Sequence, residues 1–337
     1  MSLIHLGLPY VPPPPPVGSG QWTPLQHTWI GADGSEWDLT RWDDGIFLLA
    51  SQVRGLLDPT HSTWTTESPA LHGDRILGTR VTTRECHWPI HLYSDAGSPE
   101  WVALDRAWWR SLDRDRSGTW RVEAPGSVRE LRCHLAEVED SLPRDPVRAG
   151  WATYSIRLVA HDPWWHGPWV TRRLDNAPTG TAPAPYHGAD PQAPRDGAVY
   201  RITSASQLGT ATIDNPGDEL AHLVYLVDGP FTAASVGLPG AVTSAAVAVP
   251  EGRSLLVDTR PQRRHTVAEV DTPSLGLEDG NRLEAALAAP ATSRWSALSS
   301  VALGRSVPPG EAIDLDLSMT GTGRVTVGLR PAYRRAW

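Results

Sequence analysis

The nine residues ATYSIRLVA at positions 152–160 alternate apolar and polar side chains with a period of two. Successive side chains of a β-strand point to opposite faces, so this period is typical of a strand with one buried face. Trp120–Val122 and Glu130–Leu135 show the same alternation. Together the three stretches predict an antiparallel sheet that is buried on one side.

Further strands are predicted upstream of this sheet. In Trp29–Leu39, two strand-like segments flank Asp33-Gly34, which is a strong signal for a tight β-turn. The run Gly45–Ala50 is continuously apolar and predicts a buried strand.

The segment that follows is less regular. Asp58–Gly73 is rich in Ser and Thr and has no periodicity, which predicts a long loop or an irregular projecting segment. Arg75–Leu92 predicts one long or bent strand, interrupted near Pro89.

One helix is predicted from Pro99 to Leu112. Ser98 is a suitable N-cap, Pro99 suits the first helical position, and Glu100 complements the positive helix end. Spacings of three and four define an apolar stripe that we expect to cover a sheet: Trp101, Leu104, Trp108 and Leu112. The polar side chains expected on the opposite side are Asp105, Arg106 and Arg110.

The chain is predicted to divide into an arm, two modules and a linker. Residues 1–24 form the arm, in which Pro12–Pro16 predict a polyproline II spacer about 15 Å long. A disordered tail is the open alternative for this segment. Residues 25–173 form the first module, and residues 174–198 form a linker rich in Pro, Ala and Gly.

Residues 199–337 predict a second module built as a β-sandwich. Short apolar runs separated by turn residues recur about every ten residues, as sandwiches require. In Ala312–Ser318, Ile and Leu alternate strictly with Asp and Ser. The other predicted strands are Thr210–Ile213, His222–Val227, Ala241–Val249, Ser254–Asp258, Thr266–Val270 and Arg324–Leu329.

Composition excludes several classes of function. The net charge is −8 and every basic side chain except His is Arg, which gives no reason to expect binding to nucleic acid or an anionic membrane. The apolar runs are too short to span a bilayer, and the N-terminus does not resemble a secretory signal. Cys86 and Cys133 are expected to be buried and reduced.

Sixteen Trp beside two Phe leave two interpretations open. In one, Trp takes the role that Phe usually has in the core of the first module. In the other, several indoles, such as Trp22, Trp42 and Trp169, face neighbouring subunits, because Trp is enriched at interfaces.

The acidic and His-containing motifs favour turns over metal sites. Asp33–Glu36 and Asp113–Asp115 offer carboxylates, but the loop spacing that a calcium hand needs is absent. His87 and His91 are separated by Pro89 in an extended segment and therefore do not share a helical face. We predict no metal ligand among these residues.

The remaining candidates for chemistry are also interpreted as structural. His161–His166 combines two His and Asp162 with Trp164 and Trp165, which would suit an acid/base site or a sugar platform. A strand end closed by Asp-Pro, with the aromatics packing back, is the simpler interpretation. Asp43-Asp44 is interpreted as a solvated acidic pair. No catalytic, cofactor-binding or metal residue is predicted, and the chain is predicted not to be an enzyme.

An ordered series of motifs in the first module resembles the distal tail proteins of siphophages. The most recognisable is the ending Ala160-His161-Asp162-Pro163-Trp164-Trp165. The preceding motifs are Gly31–Leu39, Gly55–Pro59, Gly73–Arg80, Leu104–Trp109 and Leu131–Cys133. The arm is a departure from the family pattern, so its role stays open.

The second module is similar to the C-terminal part of minor tail proteins from phages of high-GC Gram-positive hosts. The motifs concerned are Thr212–Asp218, Leu255–Pro261, Pro308–Gly310 and Arg330–Trp337. Together with the first module, these matches touch most of the chain after residue 28.

The resemblance implies a mainly β protein with an α+β first module, in which one helix lies on antiparallel sheets, and a galectin-like C-terminal sandwich. It implies a structural hub of the virion tail tip, assembled in the cytoplasm of the bacterial host. The implied partners are copies of the chain in a ring, generally a hexamer, the tail tube protein, the tape measure protein, and a tail-tip hub protein or tail fibres. No membrane and no sequence-specific nucleic acid are implied.

The alternative is a minor tail protein that binds host cell-wall glycan, although the second module is poor in aromatics, with Trp295, Trp337 and a few Tyr.

Overall fold

A computed structural model describes residues 23–43, 45–67, 72–139, 144–176, 206–207, 211–261 and 266–337. The mainly β fold predicted from the sequence is confirmed. The predicted arm lies outside the described residues except for Thr23 and Pro24, and most of the predicted linker lies outside them as well.

Among its described residues, the first module contains ten strands and two helices. The strands are β1 (Gln26–Ile30), β2 (Glu36–Asp38), β3 (Ile46–Leu48), β4 (His61–Glu67), β5 (Asp74–Val81), β6 (Arg84–Tyr93), β7 (Gly118–Ala124), β8 (Ser127–Val138), β9 (Trp151–Ala160) and β10 (Trp165–His166). The helices are α1 (Ser98–Ser111) and α2 (Pro146–Ala149). The main sheet has the order β2-β1-β7-β8-β9-β6-β3, and its neighbouring strands are antiparallel.

Indole rings fill the core of the first module. Trp88 contacts Trp29 and Trp120 edge to face, with ring centroids 5.2 and 4.9 Å apart, and Trp120 contacts Trp165 at 5.1 Å. From α1, Trp101 and Trp108 are also buried. Edge-to-face packing is favourable between aromatic rings and keeps large side chains in fixed positions. For these six residues, the interpretation that Trp takes the core role of Phe is confirmed.

The helix and its cap differ in detail from the prediction. α1 begins at Ser98, and Gly97, at φ 126°, takes the N-cap position. The Ser98 hydroxyl instead donates to the Val147 carbonyl at 2.8 Å and so joins α1 to α2. The predicted placement of Asp105 opposite the sheet is wrong, because its carboxylate accepts a hydrogen bond from the Tyr154 hydroxyl at 2.6 Å.

Two predictions for the stretch between Asp58 and Leu92 are also wrong. His61–Glu67 is a strand, β4, which forms a separate two-stranded sheet with β5 and has a shift of pairing register between Trp64 and Thr65. Pro89 does not interrupt a strand, since it lies within β6 opposite Ser155 of β9. In a strand, the N–H and the carbonyl of one residue point to the same side. The Pro89 carbonyl points towards Leu49, which lies beyond the end of β3 and donates its N–H to it. The N–H that proline lacks is therefore not needed for pairing between β6 and β3.

The second module is a sandwich of a six-stranded and a five-stranded sheet. The sheet orders are β11-β23-β14-β17-β18-β19 and β12-β22-β15-β16-β20. The strands are β11 (Val170–Asp175), β12 (Ser206–Gln207), β13 (Thr212–Asp214), β14 (Leu223–Asp228), β15 (Phe231–Leu238), β16 (Ala241–Ala245), β17 (Arg253–Asp258), β18 (Thr266–Asp271), β19 (Thr292–Ser293), β20 (Leu298–Ser300), β21 (Ala312–Asp314), β22 (Asp316–Gly321), β23 (Arg324–Leu329) and β24 (Ala332–Tyr333). Leu, Val and Ala side chains from both sheets form one buried core between them.

A helix that the sequence analysis did not predict covers the outer side of the six-stranded sheet. This helix, α3 (Asp279–Ala288), packs Leu283 and Ala286 against Val224 and Leu226 of β14. Its Arg282 is buried and paired with Asp228 at 2.7 Å. A buried guanidinium needs such a partner, so this pair fixes the position of α3 on the sheet.

The hydrogen-bonded sheets do not follow the predicted domain boundary at residue 174. Val170–Asp175, most of which falls within the predicted first module, pairs with β23 of the sandwich. Near the end of the chain, β24 pairs with β10 of the first module. The two modules are therefore joined by segments that cross between them at both ends of the sandwich.

Candidate assembly surfaces and the junction between the modules

The last residues of the chain form a strap that binds to the first module. We use the name C-terminal strap for residues 331–337. Besides the pairing of β24 with β10, the Ala336 N–H donates to the Leu56 carbonyl at 2.9 Å. Ala336 itself is fully buried in the core of the first module. Arg129 stacks on the Tyr333 ring, 3.7 Å from its centroid, and so covers the strap from the side.

Arg84 is a buried clamp that holds the strap and two turns together. Its guanidinium donates to the carbonyls of Pro163 at 2.6 Å, Gly55 at 2.8 Å and Arg334 at 2.8 Å, and also to Leu57. Burial lowers the pKa of this Arg, which nevertheless remains charged because its ordinary value is so high. One side chain on β6 therefore fixes three segments that are distant in sequence.

A charged network connects β8, the strap region and α3 across the junction. Arg330 donates to Glu130 at 2.6 Å and pairs with Glu284 of α3 at 3.4 Å. The indole N–H of Trp169 donates to the same Glu284 at 3.0 Å. These groups line an open cavity of about 830 Å³ between the modules. The network gives the two modules a defined relative position.

The hairpin formed by β4 and β5 is exposed to solvent on both faces. All residues of β4 are exposed, and the hairpin carries Trp64, Ile76 and Leu77 at 51, 66 and 65% exposure. A two-stranded hairpin is marginally stable by itself in water. Large exposed apolar side chains on such a projection indicate a surface that another protein covers.

A second surface with aromatic character lies on the outer side of the sheet near β3. We call it the aromatic surface and define it by Trp42, Phe47, His91, Tyr93 and Trp151. The His91 ring lies 5.4 Å from Trp151, 6.3 Å from Tyr93 and 5.1 Å from Phe47. The Tyr93 hydroxyl donates to the Trp42 carbonyl, and the Trp42 side chain is 71% exposed.

The two acidic motifs considered as calcium ligands, Asp33–Glu36 and Asp113–Asp115, form turns. Asp33 accepts from the N–H and the hydroxyl of Ser35, and these hydrogen bonds lower the pKa of Asp33. Asp113 likewise accepts from the N–H groups of Asp115 and Arg116, which lowers its pKa. Since these carboxylates serve their own turns, neither motif presents a converging set of ligands.

The two His of β6 have separate partners. His87 hydrogen bonds to the Ser155 hydroxyl at 2.9 Å and the Gln52 carbonyl at 3.1 Å, and His91 to the Thr153 hydroxyl at 2.9 Å. Across the described residues, no group of three His, Cys, Asp or Glu side chains is placed to hold a metal ion. Cys86 and Cys133 are both buried, and burial raises the pKa of Cys133 well above its ordinary value.

The motif His161–His166 closes a strand and contributes to the core. Asp162 lies 2.9 Å from the His166 ring nitrogen and accepts from the Trp164 N–H at 3.4 Å. Burial alone would raise the pKa of Asp162, but the contacts with His166 and the Trp164 N–H lower it overall. The Trp165 side chain is fully buried in the core. This arrangement agrees with the interpretation that the aromatics pack back onto the module.

The remaining residues singled out from the sequence lie apart from one another. Asp43 is exposed, while Asp44 and Trp22 are outside the described residues. Trp169 is held in the junction by Glu284, a contact within the chain. Its contact with a neighbouring subunit stays a prediction. In the described part of the sandwich, from Ala211 to Leu329, Trp295 is the only exposed aromatic side chain.

Arg84 was missed in the sequence analysis, although a signal for it was present. Arg84 lies at even spacing along β6 from Cys86, Trp88 and Ile90, so its side chain points to the same, buried face. A charged residue on the apolar face of a strand requires buried hydrogen-bond acceptors. No such signal marks Arg330, whose partners come from strands and a helix far away in sequence.

The fold resembles those of two solved phage proteins. The Dit (gp 19.1) protein of phage SPP1, described as a paradigm of the hub adsorption apparatus in phages infecting Gram-positive bacteria, superposes with a TM-score of 0.54 at 12% identity, covering 92% of this chain and 99% of that one. A chain of the phage P2 baseplate in its activated conformation with Ca gives a TM-score of 0.50 at 13% identity, covering 92% and 98%. The fold class predicted from the motifs is therefore confirmed.

In sequence, the chain is similar to Minor tail protein Gp27 of two mycobacteriophages. It is 28% identical to the protein of phage D29 and 27% identical to that of phage L5, in each case over 141 residues. Each match covers 40% of this chain and 42% of the relative, which is less than half of either protein. No protein-family model matches the chain. The proteins that it resembles in fold and sequence are structural proteins of phage tails, which agrees with the predicted resemblance.

Proposed function

We propose that this protein is a structural subunit of a ring at the tip of a phage tail. The exposed hairpin of β4 and β5 is the observation on which the proposal rests. A ring with cyclic symmetry needs two different surfaces on every subunit, so that the head of one copy meets the tail of the next. The hairpin supplies one such surface, because its apolar side chains lie on a projection that has no cover within the described residues of its own chain.

The sheet edges of the first module supply the complementary surface. β2 and β3 are the outermost strands of the main sheet and have only three residues each. The Leu48 N–H of β3 donates to the Leu39 carbonyl beyond β2, so part of this edge is already paired. The remaining backbone N–H and C=O groups of the two edges can bind another strand. In the proposed ring, the hairpin of one copy lies against the first module of the next, and the ring is a hexamer.

In this role the ring joins the tail tube protein to the tail-tip hub protein or tail fibres, next to the tape measure protein. The relatives named above support a place in the virion tail, and assembly would take place in the host cytoplasm. The sandwich points away from the ring as the outer module. Glycan binding by the sandwich is not proposed, because Trp295 alone does not provide the paired aromatic and polar groups of a sugar site.

The oligomeric state tests the proposal. At micromolar concentration we expect the full-length protein to sediment at about 220 kDa, six times the 36.6 kDa of one chain. The double variant Ile76→Glu, Leu77→Glu places charges on the hairpin and should give monomers with an unchanged melting temperature, because both side chains are exposed in one copy.

The matched control is the double variant Leu275→Glu, Leu277→Glu, which places the same two charges at exposed positions of the second module. This variant should still form the ring. If the hairpin variant remains hexameric, the hairpin is not the ring interface. If the unmodified chain stays monomeric at 100 µM, self-assembly does not occur and the proposed role is wrong.

A further inference from the structure

We propose that the proline segment Pro12–Pro16 binds to the aromatic surface of its own chain. Trp42 of the aromatic surface is 71% exposed, and its other four side chains are half-buried, so their rings are partly accessible. The proposal does not depend on the ring, so the two can fail separately.

The chemistry of the two partners is complementary. Five consecutive prolines favour a polyproline II helix, which offers flat ring faces and carbonyls but no N–H groups. Proteins recognise this conformation on exposed aromatic side chains, because it is already ordered and loses little entropy on binding. Residues 1–22 also contain no Asp, Glu, Lys or Arg. An uncharged arm suits a surface composed of aromatic rings.

The position of β1 brings the arm to this surface. His27 accepts a hydrogen bond from the Leu39 N–H at 2.8 Å and donates its own N–H to the Thr40 hydroxyl at 2.6 Å. β1 and β2 are antiparallel, so the chain that precedes Gln26 runs towards the residues that follow Thr40. Trp42 is the second residue in that direction, and its carbonyl accepts the hydrogen bond from Tyr93.

The length of the connecting segment is sufficient for binding within one copy. Six residues, Val17–Trp22, separate the prolines from the described part of the chain. Fully extended, six residues span at most about 20 Å. Three steps link β1 to the aromatic surface. The Leu39 N–H donates to the His27 carbonyl, and the Leu48 N–H donates to the Leu39 carbonyl. Leu48 of β3 then pairs with Ile90 of β6. Three strand spacings amount to roughly 15 Å, so the connection reaches without strain.

Other groups restrict where the prolines lie. The Arg144 guanidinium stacks on Trp151 at 4.6 Å from the ring centroid, so one face of that indole is covered. Phe47 lies in β3, which a hydrogen bond from Leu48 to Leu39 links to the β1 side, and Tyr93 is hydrogen bonded to the Trp42 carbonyl. The proline contact is therefore placed on these three rings, with His91 between them and Trp151.

Photo-cross-linking of the full-length chain tests the contact. Benzoylphenylalanine is placed at Val11, beside the prolines and twelve residues before the first described residue, Thr23. The first Arg of the chain is Arg41, so tryptic digestion yields the arm as residues 1–41. We expect this peptide to be linked to residues 42–54 or 85–106, which contain Phe47 and Tyr93.

Isotope mixing and variants decide between a specific contact and proximity. A mixture of ¹⁵N-labelled and unlabelled protein should give cross-links within one copy, without mixed-label pairs. Replacing all five prolines by Ser should reduce the yield at least fivefold, and so should Trp42→Ala, which alters an exposed side chain and leaves the melting temperature unchanged. Trp295→Ala, an exposed Trp of the second module, is the matched control and should leave the yield unchanged.

Three results would overturn the proposal. Mixed-label cross-links would show that the arm binds a neighbouring copy. Yields that persist after the proline-to-serine replacement would show that tethering alone brings the arm near the sheet. Cross-links distributed over peptides that lack the aromatic surface would show that the arm has no defined site.

Discussion

Removal of the Arg84 side chain should destabilise the protein and release the C-terminal strap. Arg84 is buried and joins a turn after β3, the strand end at Pro163 and the strap through hydrogen bonds to four carbonyls. Arg84→Met keeps the length and the apolar stem of the side chain but removes every donor. The carbonyls of Gly55, Leu57, Pro163 and Arg334 then lose their shared partner.

The size of the effect follows from these contacts. A buried carbonyl without a partner costs about 1–3 kcal/mol, and Leu57 lies near enough to solvent for its carbonyl to be hydrated. Arg84→Met also removes the free-energy cost of burying the guanidinium, which offsets part of the loss of stability. We therefore expect the free energy of unfolding to fall by about 2–5 kcal/mol. Arg84→Lys retains the charge but cannot contact carbonyls on several sides, so its loss should be smaller.

Guanidinium chloride unfolding, followed by Trp fluorescence, measures the loss of stability. Limited trypsin digestion measures release of the strap, because cleavage after Arg334 or Arg335 requires the strap to leave the surface. Arg84→Met should be cleaved there faster than the unmodified chain. A loss below about 1 kcal/mol together with an unchanged cleavage rate would refute the reasoning that Arg84 clamps the strap.

Three further predictions concern the core of the first module. Trp108→Ala should lower the free energy of unfolding by about 3–5 kcal/mol in denaturant titrations, since the indole is fully buried; an unchanged melting temperature would mean that this helix face is not core. Burial lowers the pKa of His27 to about 4, so the unfolded chain binds a proton more readily below pH 6.5. Stability should fall between pH 6.5 and 4, by about 2–3 kcal/mol, and His27→Asn should reduce this slope in unfolding curves recorded at several pH values. Cys86 and Cys133 should react with a thiol reagent at pH 8 only after unfolding, and rapid labelling of the native chain would contradict their burial.

The elements that could be predicted from the sequence are those whose signal is local. The alternation in Ala152–Ala160 matches the buried and exposed pattern of β9. The boundaries of β23 agree with the predicted Arg324–Leu329. The spacing of Trp101 and Trp108 identified the buried side of α1. Each of these signals depends on periodicity within one element, which follows directly from backbone geometry.

The errors occur where a neighbour in space determines the structure. At β4 the sequence predicts a loop or an irregular projecting segment, because its Thr and Ser side chains are all exposed and give no buried face to detect. The single predicted strand Ala312–Ser318 is divided in the structure, since β21 pairs with β13 and β22 pairs with β15. α3 is short and rests on a sheet that lies elsewhere in the sequence, so its Ala- and Leu-containing segment gave no clear prediction.

The sequence by itself determined the mainly β character, the helix α1, the sandwich and the resemblance to phage tail proteins. The tertiary structure alone decided that Trp fills the core of the first module, that the C-terminal strap returns to that module, that Arg84 and Arg330 hold the junction, and that the hairpin and Trp42 are exposed. Periodicity reports which side of an element is buried, because that is a property of neighbouring residues along the chain. Which elements meet depends on contacts between residues distant in sequence, such as Arg84 and Arg334, and no local pattern records them.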